Sequence, residues 1–167
     1  YAAHGQAIAA PSPEVGRVAY EGELAIVIGR RAKGVSAAQA AEHILGYACA
    51  NDLTAIELLN RDPAFAQWTR AKGFDGFGVF GPVIATDFDP NSASVRTLVG
   101  GRERQNYALA DMIFPPHELV ARLSQDMTLE PGDVILCGTS LGVLPMKPGS
   151  TVEVEIDGIG RLANTFG

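Results

Sequence analysis

Tyr20-Glu-Gly-Glu-Leu-Ala-Ile-Val-Ile28 is the stretch on which the reading of this chain turns. Five apolar residues in succession, Leu24 to Ile28, read as a buried strand that Gly29 and the basic pair Arg30 and Arg31 bring to an end. The opening of the strand is of another kind. Glu21 and Glu23 lie two apart, so both carboxylates leave one face, while Gly22 leaves the opposite face open. Like charges at that spacing repel unless a cation or protons lie between them. The pair therefore points to a divalent-metal site of hard oxygen ligands, suited to Mg2+ or Mn2+ and not to zinc. On the pair alone, a solvated strand face at a sheet edge reads equally well.

Working outward, most segments have strand length or strand alternation. Tyr47 to Leu53 reads as a second buried strand with Asn51 and Asp52 near its end, and Pro82 to Ile84 begins another. Ser94–Val99 and Glu103–Asn106 read as a hairpin across Gly100-Gly101, and Ser150–Ile156 with Gly160–Thr165 as a second across Asp157-Gly158. Val134 to Cys137 is a further strand. Two helices interrupt the pattern, one from an N-cap at Ser36 through Leu45 and stopped by Gly46, the other from Pro116 to Gln125. Thr54 to Thr69 reads as irregular, with one helical turn before Pro63. The sum is mainly β with some α, an α+β curved sheet or irregular β-barrel in place of a doubly wound fold.

Composition limits the function classes. A chain of 167 residues reads as one domain, and 47% hydrophobic against 19% charged residues excludes a disordered chain or a coiled coil. A formal net charge of −6 argues against a nucleic-acid partner or an anionic membrane surface. Leu24–Ile28 is too short to span a bilayer and no signal peptide opens the chain, so the reading is soluble and cytoplasmic. Cys49 and Cys137 each sit in apolar surroundings without a CxxC or His partner, as reduced, buried thiols would.

Asp52 strengthens the metal reading. A carboxylate after the apolar run Tyr47 to Ala50 is costly to bury without a partner, although a turn cap through Thr54 also accounts for it. Lys72, in Trp68-Thr-Arg-Ala-Lys-Gly-Phe-Asp75, lends positive charge to an anionic substrate, or else is a surface lysine whose stem packs on Trp68. Gly138-Thr139-Ser140 follows a strand and has the makings of an anion-holding turn. His4, in an N-terminal segment read as mobile, is the candidate proton shuttle, while His43 and His117 read as structural.

Four blocks, Tyr20–Gly29, Gly46–Ala55, Gln67–Asp75 and Met127–Ser140, resemble the fumarylacetoacetate hydrolase family in order and spacing. The resemblance implies a mixed β-roll fold, a homodimer, and Mg2+ or Mn2+ on Glu21, Glu23 and Asp52. It further implies that Lys72 contacts the substrate enolate or carboxylate and that Thr139 holds a terminal carboxylate. The substrates it implies are small oxo acids, cleaved with water, isomerised or decarboxylated, as in aromatic catabolism. Tyr1-Ala-Ala-His4 resembles the family's lid segment, but Ala7 stands where the glutamate partner of the lid histidine is usual. Ile56 and Leu59 replace polar substrate contacts, which leaves Arg61 or Arg70 to hold a different substrate tail.

These readings converge on a single catalytic domain, residues 1–16 a lid segment that is either shortened or lacks part of its length and 17–167 the β-roll core. The expected activity is metal-dependent hydrolysis of a C–C bond in an acylpyruvate-like 2,4-dioxo acid, with His4 and Lys72 catalytic. Isomerisation or decarboxylation of a 2-hydroxy-dienoate is the alternative, and a non-catalytic module binding metal and small acids is a third.

Overall fold

Strands outnumber helices in the computed structural model, which describes residues 1–167. The elements are β1 (Ala7–Ile8), β2 (Val18–Ala19), β3 (Gly22–Ile28), α1 (Ala37–Ala40), β4 (Ile44–Asp52), β5 (Thr54–Ala55), α2 (Ile56–Leu59) and α3 (Trp68–Lys72). They continue with β6 (Gly78–Ala85), β7 (Ser94–Val99), β8 (Arg102–Ala108), α4 (Pro116–Asp126), β9 (Val134–Leu136), β10 (Ser150–Ile156) and β11 (Gly160–Phe166). One sheet runs β6-β4-β3-β9 and a second β1-β11-β10-β7-β8, with β2 and β5 paired separately. The expected mainly β, α+β class holds. The irregular barrel does not, because neither large sheet closes on itself: the outer strands are β6 and β9 in one and β1 and β8 in the other.

β3 lies between β4 and β9, so both of its edges are paired, and every one of its residues is buried. Leu24, Ile26 and Ile28 point to the main core, where they join Val79 and, from the second sheet, Val95, Val152, Val154 and Ile156. Ala25 points the other way and packs with Ala48 and Ala50 beneath Phe80, Val134 and Leu136. Gly22 is on the core side. A Cβ there would lie 1.8 Å from Thr97 Oγ1, so the two sheets approach too closely for any side chain. This close approach sets the depth at which the carboxylates on either side of Gly22 are held.

The first expected helix is shorter than its pattern. Gln39 Oε1 accepts from the Ser36 N–H at 3.1 Å, closing a capping box, but α1 ends at Ala40 and a 3-10 turn leads into β4. Ile44 and Leu45, read as the end of that helix, belong to β4, and Ile44 pairs with Ile28. Gly46 does not stop a helix. It lies where a Cβ would sit 2.4 Å from the Ala85 carbonyl oxygen, a close approach of β4 to β6. Both expected hairpins form, β7–β8 and β10–β11, with Gly100 and Gly101 at positive φ in the first. α4 starts at Pro116 as expected and buries Val120, Ala121 and Ser124.

The N-terminal segment read as a lid is stitched to both sheets. Ala2 donates to the Gly78 carbonyl at 3.0 Å, and β1 pairs in parallel with β11 through Ala7–Thr165 and Ile8–Phe166. No helix is long and apolar enough to cross a membrane.

Candidate metal centre

Strand geometry assembles the acids. Glu21 precedes β3, Glu23 is its second residue and Asp52 ends β4, and each offers a carboxylate oxygen within 4.8 Å of the other two. The antiparallel register places Gly22 opposite Asn51, which brings Asp52 beside Glu21. Asn51 Oδ1 accepts from the Glu21 N–H at 2.9 Å, and the Asp52 N–H donates to the Glu21 carbonyl at 2.9 Å. Position, and not local charge balance, holds the carboxylates together.

The sequence reading left Lys72 between substrate contact and surface lysine, and the structure places it inside the cluster. α3 brings its Nζ to 2.8 Å from Glu21 Oε2, 2.5 Å from Asp52 Oδ2 and 2.9 Å from Thr54 Oγ1. Its ammonium also lies 5.7 Å from the Trp68 ring. Burial lowers the affinity of Lys72 for its proton, but Asp52 and Glu21 outweigh that and hold its pKa above the usual lysine value. Burial likewise raises Asp52, with Lys72 pulling the other way.

Glu23 is the unbalanced member. It is 2% exposed, and burial first, then the charges of Asp52 and Glu21, push its carboxyl up to about 8 against the pull of the Gly138 N–H and Lys72. Gly138 donates to Glu23 Oε2 at 2.7 Å, but neither an ion pair nor a hydrogen bond joins Glu23 to a lysine or arginine side chain. Three carboxylates, one of them buried without a cationic partner, fit a divalent cation such as Mg2+ or Mn2+.

The Gly138–Ser140 turn does face a carboxylate, but that carboxylate is Glu23. Thr139 Oγ1 donates to the Gly22 carbonyl at 2.8 Å and accepts from Gln105 Nε2 at 2.8 Å, so its hydroxyl hydrogen is committed within the protein. Gln105 and Tyr107 were not singled out from sequence, yet they brace the site. Gln105 Oε1 accepts from the Gly22 N–H at 3.1 Å, and Tyr107 donates to the Gly22 carbonyl at 2.9 Å. Gln105 lies within the hairpin strand expected from sequence, Glu103–Asn106, and Tyr107 one residue beyond it, but nothing in the sequence says what that strand faces.

His4 and Arg70 are not brought to the cluster. His4 Nδ1 accepts from the Ala163 N–H on β11 at 3.0 Å, and Arg70 is exposed with no hydrogen bond or ion pair to the acids. Arg61, the other arginine considered for a substrate tail, reaches the Glu14 carbonyl instead. Leu59 packs on the core from α2, and both cysteines are free thiols.

Comparison with known proteins places these features in context. The sequence model described as "Fumarylacetoacetate (FAA) hydrolase C-terminal" matches residues 1–167. A protein of Archaeoglobus fulgidus is 48% identical over 149 residues, covering 89% of this chain and 58% of that protein. Among solved structures, 5-carboxymethyl-2-hydroxymuconate delta-isomerase from Mycobacterium smegmatis superimposes with a TM-score of 0.93 at 45% identity, over 98% of this chain and 64% of that one. Fumarylpyruvate hydrolase from Pseudomonas aeruginosa, in complex with Mn2+ and pyruvate, gives 0.91 at 32% identity over 98% and 72%. The chain thus spans about three fifths of the length of the Archaeoglobus protein.

Proposed function

The chain belongs to the fumarylacetoacetate hydrolase family, and on that premise we propose that it acts as a divalent-metal-dependent enzyme on 2-oxo acids, with Glu21, Glu23 and Asp52 as metal ligands. The observation that carries this reading is Glu23, a buried carboxylate beside two others with no basic side chain of its own. A bound Mg2+ or Mn2+ would supply Lewis acidity, drawing negative charge from the 2-oxo acid as its enolate forms.

The chain's own residues prepare that chemistry. Gly138 fixes one oxygen of Glu23, and Asn51 fixes the backbone of Glu21. Lys72, held between Glu21 and Asp52, is on this reading the cation that meets the enolate or carboxylate of a bound acid. Gln105 and Tyr107 hold the Gly22 peptide, on which the spacing of the two glutamates depends. The homodimer implied by the resemblance is part of this proposal and is tested by light scattering on the purified chain.

The placement of His4 favours isomerisation or tautomerisation. Because Nδ1 accepts the Ala163 N–H, the neutral ring carries its hydrogen on Nε2 and donates there, whereas activation of water needs an acceptor. Keto–enol and double-bond shifts move a proton within the substrate and need no added water. Hydrolytic cleavage of an acylpyruvate is the second reading, supported by the likeness to the Pseudomonas hydrolase. Incubation with Mg2+ separates the two: loss of enol ultraviolet absorbance without pyruvate indicates isomerisation, and pyruvate released from an acylpyruvate indicates hydrolysis. Turnover that is unaffected by EDTA would refute metal dependence in either form.

A further inference from the structure

A cavity of about 330 Å3 opens beside the Gly138–Ser140 turn. None of the three carboxylates lines it, but its wall touches their cluster, since Gly138 donates to Glu23 and Thr139 to the Gly22 carbonyl. The rest of the wall is mostly apolar: Met112, Ile113 and Phe114 from the segment before α4, and Leu119 from α4 itself. Its hydroxyls are spoken for. Tyr107 and Thr139 both donate to Gly22, and Ser140 donates to the Leu141 carbonyl at 3.0 Å.

Charge in the cavity is one-sided. No lysine, arginine or histidine lines it, and its one acidic side chain is Asp111. Arg122 lies over the Phe114 ring of this wall at 4.2 Å but is paired with Glu118 at 2.7 Å. A ligand carboxylate entering here would lose water, meet Asp111 and find no cationic partner, whereas an alkyl or aromatic group would bury apolar surface.

We infer that this cavity receives the distal end of the substrate and selects an uncharged apolar tail, so that the preferred substrate is a monocarboxylic 2-oxo acid and not a dicarboxylic one. The inference rests on the reading of the carboxylate cluster as the seat of the 2-oxo acid head. The volume is at the small end for a ligand site, which suits a short tail. Discrimination here comes from the absence of a counter-charge as much as from apolar contact.

The test compares three ligands that share one head, pyruvate, 2-oxohexanoate and 2-oxoadipate, binding to the Mn2+-loaded chain by calorimetry. Each buried methylene should tighten binding about threefold, so 2-oxohexanoate should bind at least about tenfold more tightly than pyruvate, and by a similar factor more tightly than 2-oxoadipate. Ile113→Arg supplies a cation at a position that is 89% exposed, where folding is not at stake. That variant should narrow the gap between 2-oxohexanoate and 2-oxoadipate at least about fivefold while pyruvate binding is unchanged. Equal affinity for all three ligands, tighter binding of 2-oxoadipate, or no response to Ile113→Arg would overturn the inference while leaving the head site intact. Failure of pyruvate itself to bind the Mn2+-loaded chain would overturn both the head site and the cavity built upon it.

Discussion

On β10 and its neighbours two glutamates meet two arginines; at the start of β3 three carboxylates meet one lysine. The first group is a ladder set by register, with Glu155 opposite Arg96 on β7 and Arg161 on β11. Arg96 reaches Glu155 at 2.5 Å, and Arg161 pairs with both Glu155 and Glu153. Acid and base are equal in number there, and the arginines are about half exposed, at 44% and 57%. The second group has the same kinds of residue, but its most buried member, Glu23, has no base. Balanced charge on cross-strand neighbours is a means of joining strands. An excess of buried carboxylate costs stability in the metal-free protein, where burial and its neighbours push Glu23 toward its protonated form, and a bound cation would relieve that cost.

That contrast breaks first at Glu23. Glu23→Gln keeps the shape and removes the charge, so Mn2+ affinity should fall at least about a hundredfold by calorimetry, while Arg96→Ala leaves it within about twofold. Equal losses in both would erase the distinction. Lys72→Met should sharpen it. Taking a positive charge from beside the acids should tighten Mn2+ binding about tenfold and lower the melting temperature of the metal-free protein, because Glu21 and Asp52 then face each other without a cation. On the other side, Glu155→Ala should cost about 1 kcal/mol in urea unfolding and leave Mn2+ binding unchanged, since Arg96 loses its partner at a partly exposed site. Arg161→Ala should have the smallest effect, below about 1 kcal/mol, because Glu155 retains Arg96.

What could be read from the sequence was local in origin. Gly100-Gly101 and Asp157-Gly158 marked their hairpins because positive φ is a property of the turn itself, and the spacing of Glu21 and Glu23 put both on one face wherever the strand lay. Ile44 and Leu45 misled, since an apolar pair after Ala40 and Ala41 satisfies a helical period as well as a strand, and pairing with β3 decides between them. The site's braces were hidden for a different reason. Lys72 was a candidate from sequence, but its pairing with Glu21, 51 residues away, was not legible on a helix of five residues, and Gln105 is 83 residues from the Gly22 N–H that it accepts. Thr139 was found as a candidate but not its partner, because the commitment of a hydroxyl hydrogen depends on which carbonyl the fold brings to it.

A titration of the metal-free chain with Mn2+, followed by the loss of the free-ion electron paramagnetic resonance signal, tests the centre most directly. One Mn2+ should bind per chain, and Glu21→Ala, Glu23→Ala and Asp52→Ala should each abolish it, while Glu155→Ala binds as the parent does. Absence of binding in the parent, or Mn2+ bound undiminished by the three variants, would contradict the assignment of these carboxylates as a metal centre.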